Sequence, residues 1–201
     1  MERRLDWRGR NGVHRADHAC AGDARKRRYL RCCKRHRHAD TMRRLARPTD
    51  LDPVFAIYSH PQVVPYLTYD PMERSAFAPI FDELLRSGSF WIWEHEGALA
   101  GFYKTTRYPG RVHHVAQLGT LAVDPRLHGQ GVGRAMLNDA LRQLRADGVK
   151  RVELYAEADN SQALAFYHRL GFAHEGTLKA FYKRSHEAHY VDEHVLGLLL
   201  E

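Results

Sequence analysis

Cysteine is missing from residues 42–201; the three in the chain, Cys20, Cys32 and Cys33, all stand near its start. The main part of the chain therefore has no disulfide framework, which fits a reducing, cytoplasmic setting. Long apolar runs are missing too. Val195–Leu200 is the longest, at six residues, against the roughly 20 a helix needs to cross a bilayer, so no membrane association is expected. No apolar stretch follows the basic start, so a secretory signal is not expected either. Apolar residues as such are plentiful: the 201 residues are 44% hydrophobic and 27% charged. That excludes a wholly disordered chain and suits one α/β-sized domain with an extension.

Charge divides the chain. Residues 1–41 hold 13 Lys and Arg against 5 Asp and Glu, while residues 42–201 hold 18 against 19. The formal net charge of +7 is thus a property of the first segment. Its runs Arg25-Lys26-Arg27-Arg28 and Lys34-Arg35-His36-Arg37-His38 lack the apolar periodicity that could offset the entropy of ordering them. One reading is a phosphate-binding arm for nucleic acid, a partner disfavoured here because only this segment supports it. A second is a metal site on Cys20, Cys32, Cys33, His36 and His38. The adjacent cysteines and the H-x-H spacing do not suit a zinc tetrahedron, so no metal is expected. The preferred reading divides the chain into a basic extension, residues 1–41, and a domain, residues 42–201, with translation starting at Met42.

Within the domain, the segment Met42–Asp50 looks like a first strand, and hydrophobic spacing predicts a helix from a Thr49 or Asp50 cap to about Tyr58. A second helix is predicted from an Asp70 cap to about Gly88. Then come a hairpin (Phe90–Trp93 and Ala98–Thr105) and an extended run over His113–Asp124. After it come a helix over Gly131–Ala146, a strand over Val152–Ala156, a helix capped by Asn160, and two final strands. This is a mixed α/β domain around one sheet.

The densest chemistry lies in Leu121-Ala122-Val123-Asp124-Pro125-Arg126-Leu127-His128-Gly129-Gln130-Gly131-Val132-Gly133-Arg134. A strand runs through a glycine-rich turn into a helix. The first N–H groups of that helix have no partner inside it, and its dipole adds about half a positive charge there. A phosphate or pyrophosphate is the fitting ligand. A Walker loop is excluded because Arg134-Ala135 follows Gly133, and a dinucleotide fingerprint because its third glycine position holds Arg134.

This loop resembles the acetyl-CoA motif of the GNAT superfamily of N-acetyltransferases. That motif reads Gln or Arg, two residues, Gly, one residue, then Gly or Ala. Gly131 and Gly133 match it; His128 stands at the first position, where the family has a Gln or Arg. Downstream, Asn160-Ser161-Gln162-Ala163-Leu164-Ala165-Phe166-Tyr167-His168-Arg169-Leu170-Gly171-Phe172 is similar to the family's second motif. The resemblance covers about residues 42–200. Gly176-Thr177-Leu178, Tyr182 and Tyr190-Val191-Asp192-Glu193, with His60-Pro61-Gln62-Val63, resemble the branch that acetylates free L-amino acids.

The resemblance implies a single domain whose mostly antiparallel sheet is flanked by about four helices and contains a splayed strand pair. It implies acetyl-CoA as cosubstrate. Backbone groups of Leu121, Ala122 and Val123 would meet the pantetheine arm. His128, Gly129, Gln130, Gly131, Val132, Gly133 and Arg134 would surround the pyrophosphate. Asn160 would bond the arm, and Tyr167 would serve as general acid. The family's usual base position, an acid on strand four, is Gln117 here. Glu153 is the substitute, with His113 and His114 behind it. Arg74, Arg107 or Arg111 would hold an acceptor carboxylate. The expected reaction is direct acetyl transfer to a primary amine of a small molecule, an amino acid first. A protein N-terminus or a non-catalytic acyl-CoA sensor is the alternative, and a homodimer is compatible with the family.

Overall fold

The computed structural model describes residues 41–201. The basic runs and the cysteines lie outside the described residues. Chain order is β1 (Thr41–Leu45), α1 (Leu51–Tyr58), α2 (Arg74–Arg86), β2 (Phe90–His95), β3 (Ala98–Arg107) and β4 (Val115–Val123). Then follow α3 (Val132–Ala146), β5 (Arg151–Glu157), α4 (Ser161–Arg169), β6 (Ala173–Tyr182) and β7 (Val191–Leu199). Seven strands form one sheet in the order β1-β2-β3-β4-β5-β7-β6. All neighbours are antiparallel except β4 and β5. A parallel pair needs a crossover, and α3 supplies it.

Two apolar layers sandwich the sheet. Under α3 and α4 lie Leu118, Val132, Met136, Leu137, Leu154 and Ala156. Under α1 and α2 lie Val54, Ile57, Phe77, Phe81, Ile92 and Phe102. The spacing of Val132, Met136, Ala140 and Leu144 puts one side of α3 into the first layer, as a period of 3.6 requires. Gly148, at φ +79°, closes that helix, and Val149 N–H returns to Leu144 O at 2.9 Å. In the β2–β3 turn, Glu96 and Gly97 both take positive φ, the mirror-image turn that matches strand twist.

Two sequence expectations are corrected. The first strand stops at Leu45, because Arg44 grips Asp50 with two hydrogen bonds of 2.7 and 2.9 Å and pulls the chain into a turn at Pro48–Asp50. Asp70 does not cap α2, which begins at Arg74. The Asp70 carboxylate instead accepts the N–H of Ser185, 115 residues away, at 3.2 Å. At Asp70 a tertiary partner outcompetes local capping.

The feature that shapes the site is the gap between β4 and β5. They pair only from Val115↔Arg151 to Leu118↔Leu154. Beyond that, β4 runs on to Val123 and β5 to Glu157 without bonding each other. The cause lies in β4, where Phe102 faces Ala122 but Lys104 faces Gly119, so β4 carries one extra residue. Thr120 there has φ +46°, a strained value for a β-branched residue. The bulge turns the end of β4 away from β5 and opens the splayed pair.

Candidate active site

A cleft of about 790 Å³ fills this gap. On its α3–α4 side, Asp124 ends β4. Its backbone N–H bonds Ala100 O at 2.8 Å, and its carboxylate receives Arg126 N–H at 2.9 Å. The Arg126 guanidinium holds this carboxyl below the usual carboxylate range. The chain then reaches Gly129 and Gly131 at φ +74° and +83°, where a side chain would be strained. The first intrahelical bond of α3 is Ala135 N–H to Gly131 O, 3.0 Å. The N–H groups of Val132, Gly133 and Arg134 therefore leave the helix end uncapped, toward the cleft they border. Gly133 has room for a methyl group, whose nearest neighbours would be Val123 at 3.5 Å and Phe166 at 3.6 Å. A Gly-or-Ala motif position is consistent with that space.

Leu121, Ala122, Val123, His128, Gly129, Gly131, Val132, Gly133, Arg134, Asn160 and Tyr167 all border the cleft. Gln130 does not; its side chain folds back to donate to Arg126 O at 2.9 Å. His128 Nε2 lies 3.0 Å from Val123 O. A carbonyl only accepts, so Nε2 carries a proton, and the ring latches the loop to the end of β4. Asn160 Oδ1 accepts Ala163 N–H at 3.1 Å and caps α4, while its amide NH₂, a double donor, also acts on the Glu157 carboxyl and lowers it.

Tyr167 sits on α4 between Phe166 and Phe172. Burial, then the charge of Glu157, raises its phenol well above the ordinary tyrosine value. It stays protonated at neutral pH and can donate a hydrogen bond into the gap. Protonation of Glu157 would remove the second of these causes and make the phenol a stronger acid.

The structure does not bring Glu153 to the cleft. Glu153 faces Gln117 below the split, where Tyr108 Oη donates to it at 2.9 Å and Arg151 lies 3.6 Å away. His113 and His114 do not border the cleft either. Arg74 is paired with Asp52, and Arg107 donates to His113 O at 2.8 Å. Neither borders the cleft, and nor does Arg111.

Other residues line its α1–α2 side. Strand alternation places Tyr155 and Glu157 opposite Leu154 and Ala156, and Glu157 pairs with Glu193 across β5 and β7. Lys104 and Thr106 reach the same side from β3. Sequence reading passed over Glu157 and Lys104 and met Glu193 only as the end of the Tyr190–Glu193 segment, without a role at the site. For Glu157 a signal existed, as Glu153, Tyr155 and Glu157 alternate; Lys104 carried none. A roof covers this side. Tyr182 Oη donates to Leu67 O, and Arg184 Nε donates to Pro65 O at 2.9 Å. The Arg184 guanidinium, 5% exposed, also binds Asp159 and Glu187 and lies over the rings of Tyr66 and Tyr182.

A sequence profile described as the acetyltransferase (GNAT) family matches residues 51–172. The chain belongs to this family. It is 37% identical over 110 residues to a mycothiol acetyltransferase of Amycolatopsis mediterranei, a match covering 52% of this chain and 34% of that protein. The chain spans about a third of the length of the curated relatives it matches. In fold it is similar to a ribosomal-protein-alanine N-acetyltransferase from Brucella melitensis (TM-score 0.64, 22% identity, 79% of this chain and 99% of that one). It is similar as well to an acetyltransferase from Salmonella typhimurium solved with its cofactor acetyl-CoA (TM-score 0.62, 17% identity, 80% and 94%). The single α/β domain, mostly antiparallel sheet and four helices of the described residues agree with these folds. No helix among the described residues is long and apolar enough to cross a membrane.

Proposed function

We propose that the chain is an acetyl-CoA-dependent N-acetyltransferase acting on a primary amine of a small molecule, an amino acid first. One observation carries this reading: a single cleft joins a bare helix N-terminus, a length of β4 unpaired with β5 and the Tyr167 phenol. The amides of Val132, Gly133 and Arg134, with the Arg134 charge, suit a pyrophosphate. The free edge of Leu121–Val123 and the Asn160 amide suit an amide-bearing arm. Acetyl-CoA brings an activated acyl group to such a site. The chain's residues orient it, and a β4 N–H near Val123 is available to the carbonyl oxygen as charge develops there.

Tyr167 is the proton donor to the departing sulfur. A primary amine, mostly protonated at neutral pH, must shed a proton before it attacks. Gln117 borders the cleft but has no basicity for that task.

Two features support a small acceptor. The bonds from Tyr182 and Arg184 to Leu67 and Pro65 tie the roof down, and a tied roof opposes passage of a polypeptide. Lys104 offers an ammonium on the acceptor side, where the arginines expected from sequence are absent, so a carboxylate-bearing amine has a partner.

The test is mass-spectrometric. The full chain is incubated with acetyl-CoA and a pool of free amino acids, other amines and short peptides. Acetylated amino acids are expected; acetylated peptides alone would move the reading to a protein N-terminus. Acetyl-CoA binding with every amine untouched would replace the enzyme by a sensor.

A further inference from the structure

Glu157 and Glu193 face each other across the last bonded rung of β5 and β7, and both border the cleft. Glu157 is 6% exposed. Glu193 Oε2 is a buried oxygen with no hydrogen-bond partner among the described residues. Neither carboxylate has a cation within ion-pair distance among those residues, although Arg184 stands nearby. That guanidinium is taken up by Asp159, Glu187 and a carbonyl. Two facing carboxylates with an open acceptor position, next to the cleft's proton donor, are arranged to receive an ammonium. The residue at the family's usual base position, Gln117, cannot do so.

We propose that Glu157 and Glu193 together are the acceptor-binding and proton-accepting pair of this enzyme, replacing the missing acid on β4, and that the acceptor enters as a primary ammonium. This rests on the acetyltransferase reading above. The pair takes one proton from the ammonium and passes it to solvent. The freed nitrogen lone pair forms the bond to the acetyl carbon as the carbon–sulfur bond breaks, and Tyr167 gives its proton to the sulfur. The nitrogen's second proton goes to the pair and from there restores Tyr167. One proton is released per turnover, and no other reactant is needed.

The electrostatics agree. Burial, then the neighbouring Glu157 charge, pushes the Glu193 carboxyl up to about 7, and burial raises Glu157 as well. Like charges this close do not both ionise readily. The other ionisable groups facing the pair are Tyr182 from β6, Arg184 and Asp159 from the loops, Tyr167 from α4 and Lys104 across the cleft. Arg184 lowers Glu157 and Asp159 raises it.

The experiment measures kcat/KM from pH 5.5 to 9 in the full chain, with the best acceptor from the amine pool. It uses wild type, Glu157→Gln, Glu193→Gln, and Glu157→Gln combined with Gln117→Glu. The wild-type rate should rise through about pH 7. Each single variant should lose about 100-fold or more, the range of a general base, with acetyl-CoA affinity within about threefold. An acid returned to β4 should recover at least about tenfold, which a purely structural role would not allow. Single variants that keep more than half of kcat/KM, or an unchanged acidic limb, would overturn the proposal.

A second readout needs no turnover. In carbon-labelled glutamate spectra, one carboxyl should titrate near neutrality; that step should vanish in Glu193→Gln and move to lower pH in Glu157→Gln, where burial remains but the neighbouring charge is gone. Glutamates that all titrate in the ordinary range would overturn the pair. No product from any amine, with the neutral step present, would fault the acetyltransferase reading and with it the pair's catalytic role, leaving only two coupled carboxyls; product with no neutral step would fault the pair alone.

Discussion

The two sides of the cleft are built by different means. The cofactor side is mostly backbone, and its parts are neighbours in sequence: the end of β4, two glycines at positive φ and the first turn of α3. The acceptor side is mostly side chain, delivered from β3, β5, β6, β7 and the segment after α1. A backbone site tolerates change at most side chains but not at the residues that set its dihedral angles. A side-chain site can change its substrate through single substitutions without touching the loop opposite. Tyr167 is the joint, since it belongs to the α3–α4 layer yet feels the Glu157 charge.

Substitutions can separate the two sides. The largest effect is expected at the joint. Tyr167→Phe should lower kcat by about 100-fold or more while calorimetry finds acetyl-CoA affinity within about twofold. Near-normal kcat would remove Tyr167 from the chemistry. Next comes the cofactor side. Gly131→Val forces a β-branched residue to φ +83°, at a cost of order 1–3 kcal/mol. It should weaken acetyl-CoA binding by about tenfold or more and leave the Glu193 titration in place. Equal binding would show that the cradle does not depend on that backbone geometry.

On the acceptor side, Arg184→Met removes the bonds to Pro65, Asp159 and Glu187. Hydrogen bonds to charged groups are worth about 1.5–3 kcal/mol each in favourable cases. We expect a lower melting temperature and an acceptor KM raised by about tenfold, with acetyl-CoA affinity little changed. A KM that stays put would show that the roof does not shape the pocket. The smallest effect is one of stability. The folded state holds the Glu193 carboxyl near 7, above its ordinary 4.5. It therefore binds that proton more tightly than the unfolded chain, and stability falls as pH rises from about 4.5 through 7. Glu193→Gln should raise the melting temperature at pH 8 by roughly 1–3 °C and by less at pH 5.5. A variant less stable at pH 8 would contradict a buried, repelled charge.

Legibility follows the same division. The loop from Leu121 to Arg134, the Asn160 cap and Tyr167 could be read in sequence, because each part acts on residues a few positions away. Glu153 was the nearest substitute for an acid at position 117 by sequence reading. Yet it lies below the split, where Tyr108 takes it, and that depends on where β4 and β5 part. The parting follows from Thr120 at φ +46°, a conformation that its residue type argues against. Asp70 carries a capping pattern that the distant Ser185 overrides.

By itself the sequence determined the order of strands and helices, the single central sheet and the bare, glycine-flanked start of α3. Apolar period, glycine placement and helix polarity act locally and need no partner. Only the tertiary structure decided which carboxylates meet at the cleft. Glu157 and Glu193 are opposed only because β7 inserts between β5 and β6. Lys104 shares their face because Thr106 pairs with Gln117 and Gln117 with Glu153, which carries one face of the sheet from β3 to β5. Distances between charges on different strands are set by sheet order and register, and neither is written in the neighbourhood of any single residue.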